Sequence, residues 1–383
     1  MQLLKLVAEQ IQIGGRLPFH VRNSEGGLLL ARGQVVLSAS QLNALLERGM
    51  FADQEELLAL EAGKTPPVEA PPLTTRWSQA VWSVDTLLKK LTEGDNFIGN
   101  CEEVSGEVIA LAQEDGDLAL YQAVRQEQQQ LRLYGVSHSL HVATLCWMVA
   151  RRLAWTEARQ RMAVKAALTM NASIIDLQGA FAVNGQRPGA AQREQLRDHP
   201  EEAVRRLRRA GIQDEEWLMA VAQHHEQAGG KGYPKGLSEV EEMAQLLRLV
   251  DVFLAKISPR INRPALEIKT AARQVYEQGP SNPMVASLIK EFGMYPPGEL
   301  VRLANGDLAV VVRRGASLHS PIVMALADGM GRLKPNFISY DTGKPEYKVV
   351  GVEADKRRLI GVPSERFYGL YGLHGRDHLN PTH

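Results

Sequence analysis

Cysteine is nearly absent: two residues, Cys101 and Cys146, in a chain of 383. Both fall inside apolar helical patterns, so they read as buried thiols, which excludes a disulfide scaffold or a cysteine zinc site. Net charge is absent too. Forty-four Lys and Arg balance 44 Asp and Glu, leaving no global positive field to concentrate nucleic acid or an anionic membrane. DNA, RNA and membrane are therefore not expected as partners, and any anion site must be local. Long apolar runs are also missing. The longest, over 142–150, is far shorter than the roughly 20 residues that span a bilayer. The opening MQLLKLVAEQIQIGG has no basic segment followed by an apolar core, so a cytoplasmic location is expected.

What is present sorts by period. Residues 1–62 read as a small α/β unit, in which Phe19, His20, Val21 and Arg22 alternate, Ser24 to Gly27 form a turn, and 28–37 form a second strand. A helix follows, with Ser38 and Gln41 as a capping box, Leu42, Leu45 and Leu46 as its apolar stripe, and Gly49 as its C-terminal cap. Residues 63–76 hold Pro66, Pro67, Pro71 and Pro72, which favour extended backbone and make a semi-rigid linker.

From Trp77 to residue 293 the period is helical. Val81, Val84, Leu88 and Leu91 share one face, and Val104, Val108 and Leu111 another. Breaks are expected at Gly135, 154–156, 182–190, Gly211 and 229–234. Residues 294–383 read as a C-terminal β unit, because 300–303 and 308–312 flank Asn305 and Gly306, the pairing of a type I′ hairpin. The fold class expected is mainly α, with a small unit at each end. No internal repeat is found.

Five of the ten histidines lie in the helical block: His138, His141, His199, His224 and His225. Adjacent imidazoles point about 100° apart on a helix, so His224 and His225 reach one centre only at a helix end or across a two-metal site. The glycine-rich loop that follows them puts them at a helix end. His199, His224 and His225 either hold one ion or hydrogen-bond internally, and the residues alone admit both.

The string from His224 to Pro234, HHEQAGGKGYP, resembles the HD-GYP signature HHExxDGxGYP. The similarity runs over residues 120–293 in the same order: His138 in YGVSHSLHVA, His199 followed by Pro200, Asp251 in LVDVF, and SPRINR carrying Arg260 and Arg263. It implies an HD-GYP-like helical bundle in which two or three metal ions activate a water against cyclic diguanylate. It also exposes departures. Residues 166–174, AALTMNASI, align with AALLHDIGK, so the metal-binding His-Asp pair becomes Met170 and Asn171 and a phosphate-facing lysine becomes Ile174. Gly229 stands where the signature has aspartate, and Tyr134 where trinuclear members have glutamate.

A thioether is a poor ligand for hard divalent ions, and an amide brings no charge to bridge two metals. Asp176, five residues past Asn171, lies off that face. The resemblance then leaves His138 and Asp251 of one metal site, and His199, His224 and His225 of the other. It implies at most one divalent transition metal of iron, manganese, zinc or nickel type, or none. Arg260, Arg263, Lys231 and Tyr233 are the phosphate and base contacts it implies. The expected function is a degenerate HD-GYP-type signalling protein that binds cyclic diguanylate, or a protein partner at Gly232, Tyr233 and Pro234, without catalysis. The alternative is a residual metal-dependent cyclic diguanylate phosphodiesterase.

Overall fold

A computed structural model describes residues 3–6, 11–24, 26, 28–36, 39–47, 50–61, 71–93, 96–126, 133–184, 187–259 and 265–353. The chain divides into two compact units, with the division between Thr86 and Leu87. In the first unit, strands β1 (Leu3–Lys5), β2 (Val21–Arg22), β3 (Leu28–Leu30) and β4 (Phe51–Asp53) form an antiparallel sheet in the order β1-β4-β2-β3. Helices α1 (Ala39–Glu47) and α2 (Gln54–Glu61) accompany it. Phe19, Val21, Leu30, Val36, Leu45 and Met50 close its core.

The second expected strand is shorter than 28–37: beyond Leu30 only isolated bridges continue, Ile13 to Val36 and Arg16 to Val35. Ser38 and Gly49, the expected caps of α1, lie outside the described residues, as do 62–70 of the linker. Helix α3 (Leu73–Glu93) begins four residues before Trp77, inside the segment read as linker.

The second unit is built on helices α4 (Phe97–Glu114), α5 (Gly116–Arg125), α6 (Tyr134–Arg152), α7 (Glu157–Thr169), α8 (Ile175–Asn184), α9 (Ala190–Arg209), α10 (Glu215–Gln223), α11 (Glu242–Ile257), α12 (Ile268–Gln278) and α13 (Pro283–Phe292). Short polar side chains start them. Asp115 accepts from the Asp117 and Leu118 amides, Thr156 from Arg159, Asp214 from Trp217 and Asn282 from Met284; each satisfies amide groups that a helix start leaves open. Helix α6 is its centre, buried from Val142 to Ala150 without interruption, as the sequence's longest apolar run requires. Gly135 lies inside α6 rather than at a break; an added Cβ there would sit 3.0 Å from the Ile175 carbonyl, so it permits α6 and α8 to approach.

Strands β5 (Leu300–Leu303), β6 (Leu308–Arg313), β7 (Ile322–Ala327), β8 (Leu333–Asp341) and β9 (Val349–Val352) form a second antiparallel sheet, ordered β8-β7-β6-β5-β9. The β5–β6 hairpin differs from the expected type I′ turn. Only Gly306 has positive φ, at 88°, the Gly306 amide donates to the Leu303 carbonyl, and the Leu303 amide to Asp307. That is a three-residue loop with glycine in the left-handed position. The sheet and the helices belong to one unit. Arg313 makes a fork on Asp115 at 2.8 and 2.6 Å, and Arg314 reaches Asp117. The change at residue 293 is thus one of secondary structure within that unit. Among the described residues no helix is long and apolar enough to cross a membrane.

Candidate functional site

His199 stands in α9 directly before Pro200. Proline has no backbone N–H, so the carbonyl four residues earlier, that of Leu196, loses its helical donor. The imidazole takes that place: His199 Nδ1 donates to the Leu196 oxygen at 2.6 Å. His224 reaches the same state differently. Helix α10 stops at Gln223, leaving carbonyls of its last turn open, and His224 Nδ1 donates to the Val221 oxygen at 2.6 Å. In a neutral ring whose Nδ1 carries the proton, Nε2 is a bare lone pair. The two Nε2 atoms face each other at 3.1 Å.

Two lone pairs at that separation need a cation between them or a proton on one of them. The proton is disfavoured. Burial, and then the charge of His224, lowers His199 to about 3; burial lowers His224 as well. An ion suits the distance, since two nitrogens each about 2.1 Å from one metal sit roughly 3 to 3.4 Å apart. His225 completes the set. Its ring centre lies 5.0 Å from that of His199 and 4.2 Å from that of His224, and the ligand atoms of all three fall within 4.8 Å of one another. Burial and then His224 depress His225 too. Three neutral imidazoles, two of them with their outer nitrogens fixed on backbone carbonyls, are a donor set for a borderline divalent ion.

The other pair behaves differently. His138 of α6 donates Nε2–H to Asp251 of α11 at 2.7 Å, and Tyr134 stacks on the His138 ring at 5.7 Å. Burial alone would raise the Asp251 carboxyl, but the hydrogen bond from His138, with the imidazoles of His225 and His224 nearby, holds it well below the ordinary range. The second nitrogen of His138 is buried and has no partner among the described residues.

Met170, Asn171 and Ile174 are all buried in the turn after α7. Ser173 ties this turn to the site, its hydroxyl donating to the His199 carbonyl at 2.9 Å. Asp176 is exposed, outside this buried turn.

The loop after His225 is held from within. Buried Glu226 accepts the amides of Lys235, Gly236 and Leu237 at 2.7, 3.2 and 3.1 Å, and Gln223 accepts that of Glu241. Gly232 passes so near this strand of chain that a Cβ would lie 2.3 Å from the Gln227 nitrogen. Gly229 has a φ of 79°. Tyr233 is brought face to face with His225, 4.6 Å between centres and 18° between planes. Lys231 is exposed at the loop surface. Arg260 and Arg263 lie outside the described residues.

Three contributors were not read from the sequence: Glu226 as the loop's anchor, Pro200 as the residue that frees a carbonyl for His199, and Arg248. Arg248 is half-buried on α11, one turn before Asp251, and within electrostatic reach of Asp251, Tyr233 and His225. Its i, i+3 spacing from Asp251 was the available signal.

Residues 118–280 match a protein family described as HD domain. Over 201 residues the chain is 31% identical to a Pseudomonas aeruginosa protein described as cyclic di-GMP phosphodiesterase PA4108, covering 50% of this chain and 47% of that relative. The chain thus spans about half the length of the curated relative it matches. Among solved structures it is similar to Bd1817, an HDG"Y"P protein from Bdellovibrio bacteriovorus, with a TM-score of 0.46, 14% identity, and 76% of this chain and 99% of that chain covered.

Proposed function

We propose that this chain, whose residues 118–280 match a family described as HD domain, is of HD-GYP type and binds cyclic diguanylate at a site with one divalent transition-metal ion, with hydrolysis absent or very slow. His199, His224 and His225 would hold the ion. When bound, it supplies Lewis-acid stabilisation to a phosphate oxygen. The observation that carries this reading is the composition of the cluster: three imidazoles converge and, among the described residues, no carboxylate joins them. Asp251 is engaged with His138, and the position for which the family resemblance implies a bridging aspartate is the amide of Asn171. Without that bridging charge a second ion would not be held, and the two-metal clamp on the attacking and leaving oxygens would be missing.

The second reading, a residual one-metal phosphodiesterase, is favoured by the lone pairs of His199 and His224 and by the description of the Pseudomonas relative. Elemental analysis, calorimetric titration with cyclic diguanylate and a turnover assay separate the two. The first expects no more than one ion per chain, measurable heat of binding and turnover well below about 1 per second. Two or more tightly held ions, or turnover at ordinary enzyme rates, would overturn it. Absence of nucleotide binding would leave a regulator that engages a protein partner at Gly232, Tyr233 and Pro234. Replacing Met170→His together with Asn171→Asp should raise the metal content toward two ions per chain.

A further inference from the structure

We propose that Arg248, together with the Tyr233 hydroxyl, grips a phosphate of a dianionic nucleotide beside the histidine cluster. This rests on the reading of that cluster as the nucleotide site. Arg248 projects from α11 one turn before Asp251, and Tyr233 is positioned by its stack on His225. Both side chains are half-buried. Neither makes a side-chain hydrogen bond or ion pair among the described residues, and Asp251, the nearest acid along α11, is taken by His138.

Other arginines of this unit are matched. Arg159 lies on Glu216 and Glu242, Arg206 on Glu202, Arg313 on Asp115, and Arg314 on Asp117. A guanidinium partly withdrawn from water without such a partner carries a desolvation cost that a bound anion offsets. The surrounding charge selects the anion. With a divalent ion on neutral imidazoles, Arg248 balances Asp251 and the site keeps a surplus of two positive charges. That matches a molecule with two phosphodiester groups better than one with a single phosphodiester. The planar fork takes two oxygens of one phosphate, and the phenol donates to a third acceptor.

The test uses the full chain loaded with Mn²⁺ and calorimetric titration with cyclic diguanylate and with inorganic phosphate. Arg248→Ala should weaken cyclic diguanylate binding at least tenfold with unchanged metal content. Arg248→Lys should fall between, because an ammonium keeps the charge and loses the fork. Tyr233→Phe should lose less than Arg248→Ala while keeping the ring stack. Should wild type bind and all three variants bind equally well, this inference alone fails. Should wild type bind neither probe, the nucleotide reading falls and the inference with it.

Discussion

His138 and Asp251 close on each other at 2.7 Å, whereas His199 and His224 face each other at 3.1 Å with both inner nitrogens bare. In the first pair a donor meets an acceptor and the buried charge of Asp251 is compensated, although the other nitrogen of His138 has no partner among the described residues. The second pair needs a cation between its nitrogens or a proton on one of them. The difference follows from which nitrogen of each histidine carries the donated proton. His199 and His224 give Nδ1–H to backbone carbonyls, and His138 gives Nε2–H to a carboxylate. The two halves of the cluster therefore differ in what they can still accept. One half satisfies itself, and the other stays fit for a ligand.

The largest effect that could break this comparison is on metal content. His224→Ala should abolish the bound ion after reconstitution with Mn²⁺, Fe²⁺ or Zn²⁺, read by elemental analysis. His138→Ala should leave the stoichiometry unchanged while costing stability, since it strands the buried Asp251 charge. Equal metal loss in both variants would unite the two halves and refute the contrast.

A smaller effect tests why His199 is ready to coordinate. Pro200→Ala returns a backbone N–H to the Leu196 carbonyl and competes with His199 Nδ1. Metal affinity should fall roughly 10- to 100-fold, the range typical of lost outer-sphere support, while the helix itself gains stability. Competition with a chelator of known affinity measures the first, thermal unfolding the second. Unchanged affinity would mean that the proline does not set the ring.

The smallest effect concerns acid. His141 is buried three residues beyond His138, and burial, with the His138 charge second, lowers it to about 3, as it is lowered in His199. A histidine whose folded value lies below its unfolded 6.5 binds more protons unfolded, so stability is intact above pH 6.5 and is lost as pH falls from there toward 3. Between pH 6.5 and 5 each group should cost on the order of 1–2 kcal/mol. Urea unfolding of chelator-treated protein across that range checks it, and His141→Gln should flatten the slope. A bound ion should protect His199 from the same loss and leave His141 exposed to it.

Much of the helical unit was legible from residues alone. The expected breaks at 154–156, Gly211 and 229–234 fall between helices, because polar caps and glycines act within a turn of chain, whereas the one at 182–190 overlaps the end of α8 and the first residue of α9. The three histidines were legible as candidates, though not as a site. The N-terminal sheet was less legible: β1 and β4 are three residues each, shorter than any periodic pattern can establish. The hairpin at Gly306 was placed correctly and its turn type was not, because the same Asn-Gly pair fits loops of two or three residues and strand register decides between them.

By itself the sequence determined the residue types on offer, the helix ends that present them, and the proline and helix terminus that free a carbonyl beside His199 and beside His224. All of these act over four residues or fewer. Tertiary structure alone decided which groups meet. α9 and α10 had to pack before two lone pairs could face each other, and α6 and α11 before His138 could reach across 113 positions to Asp251. The α11 backbone had to lie beside the Tyr233 loop before Arg248 could come within reach of His225. No local rule encodes those distances, since they follow from how whole helices bury their apolar faces against one another.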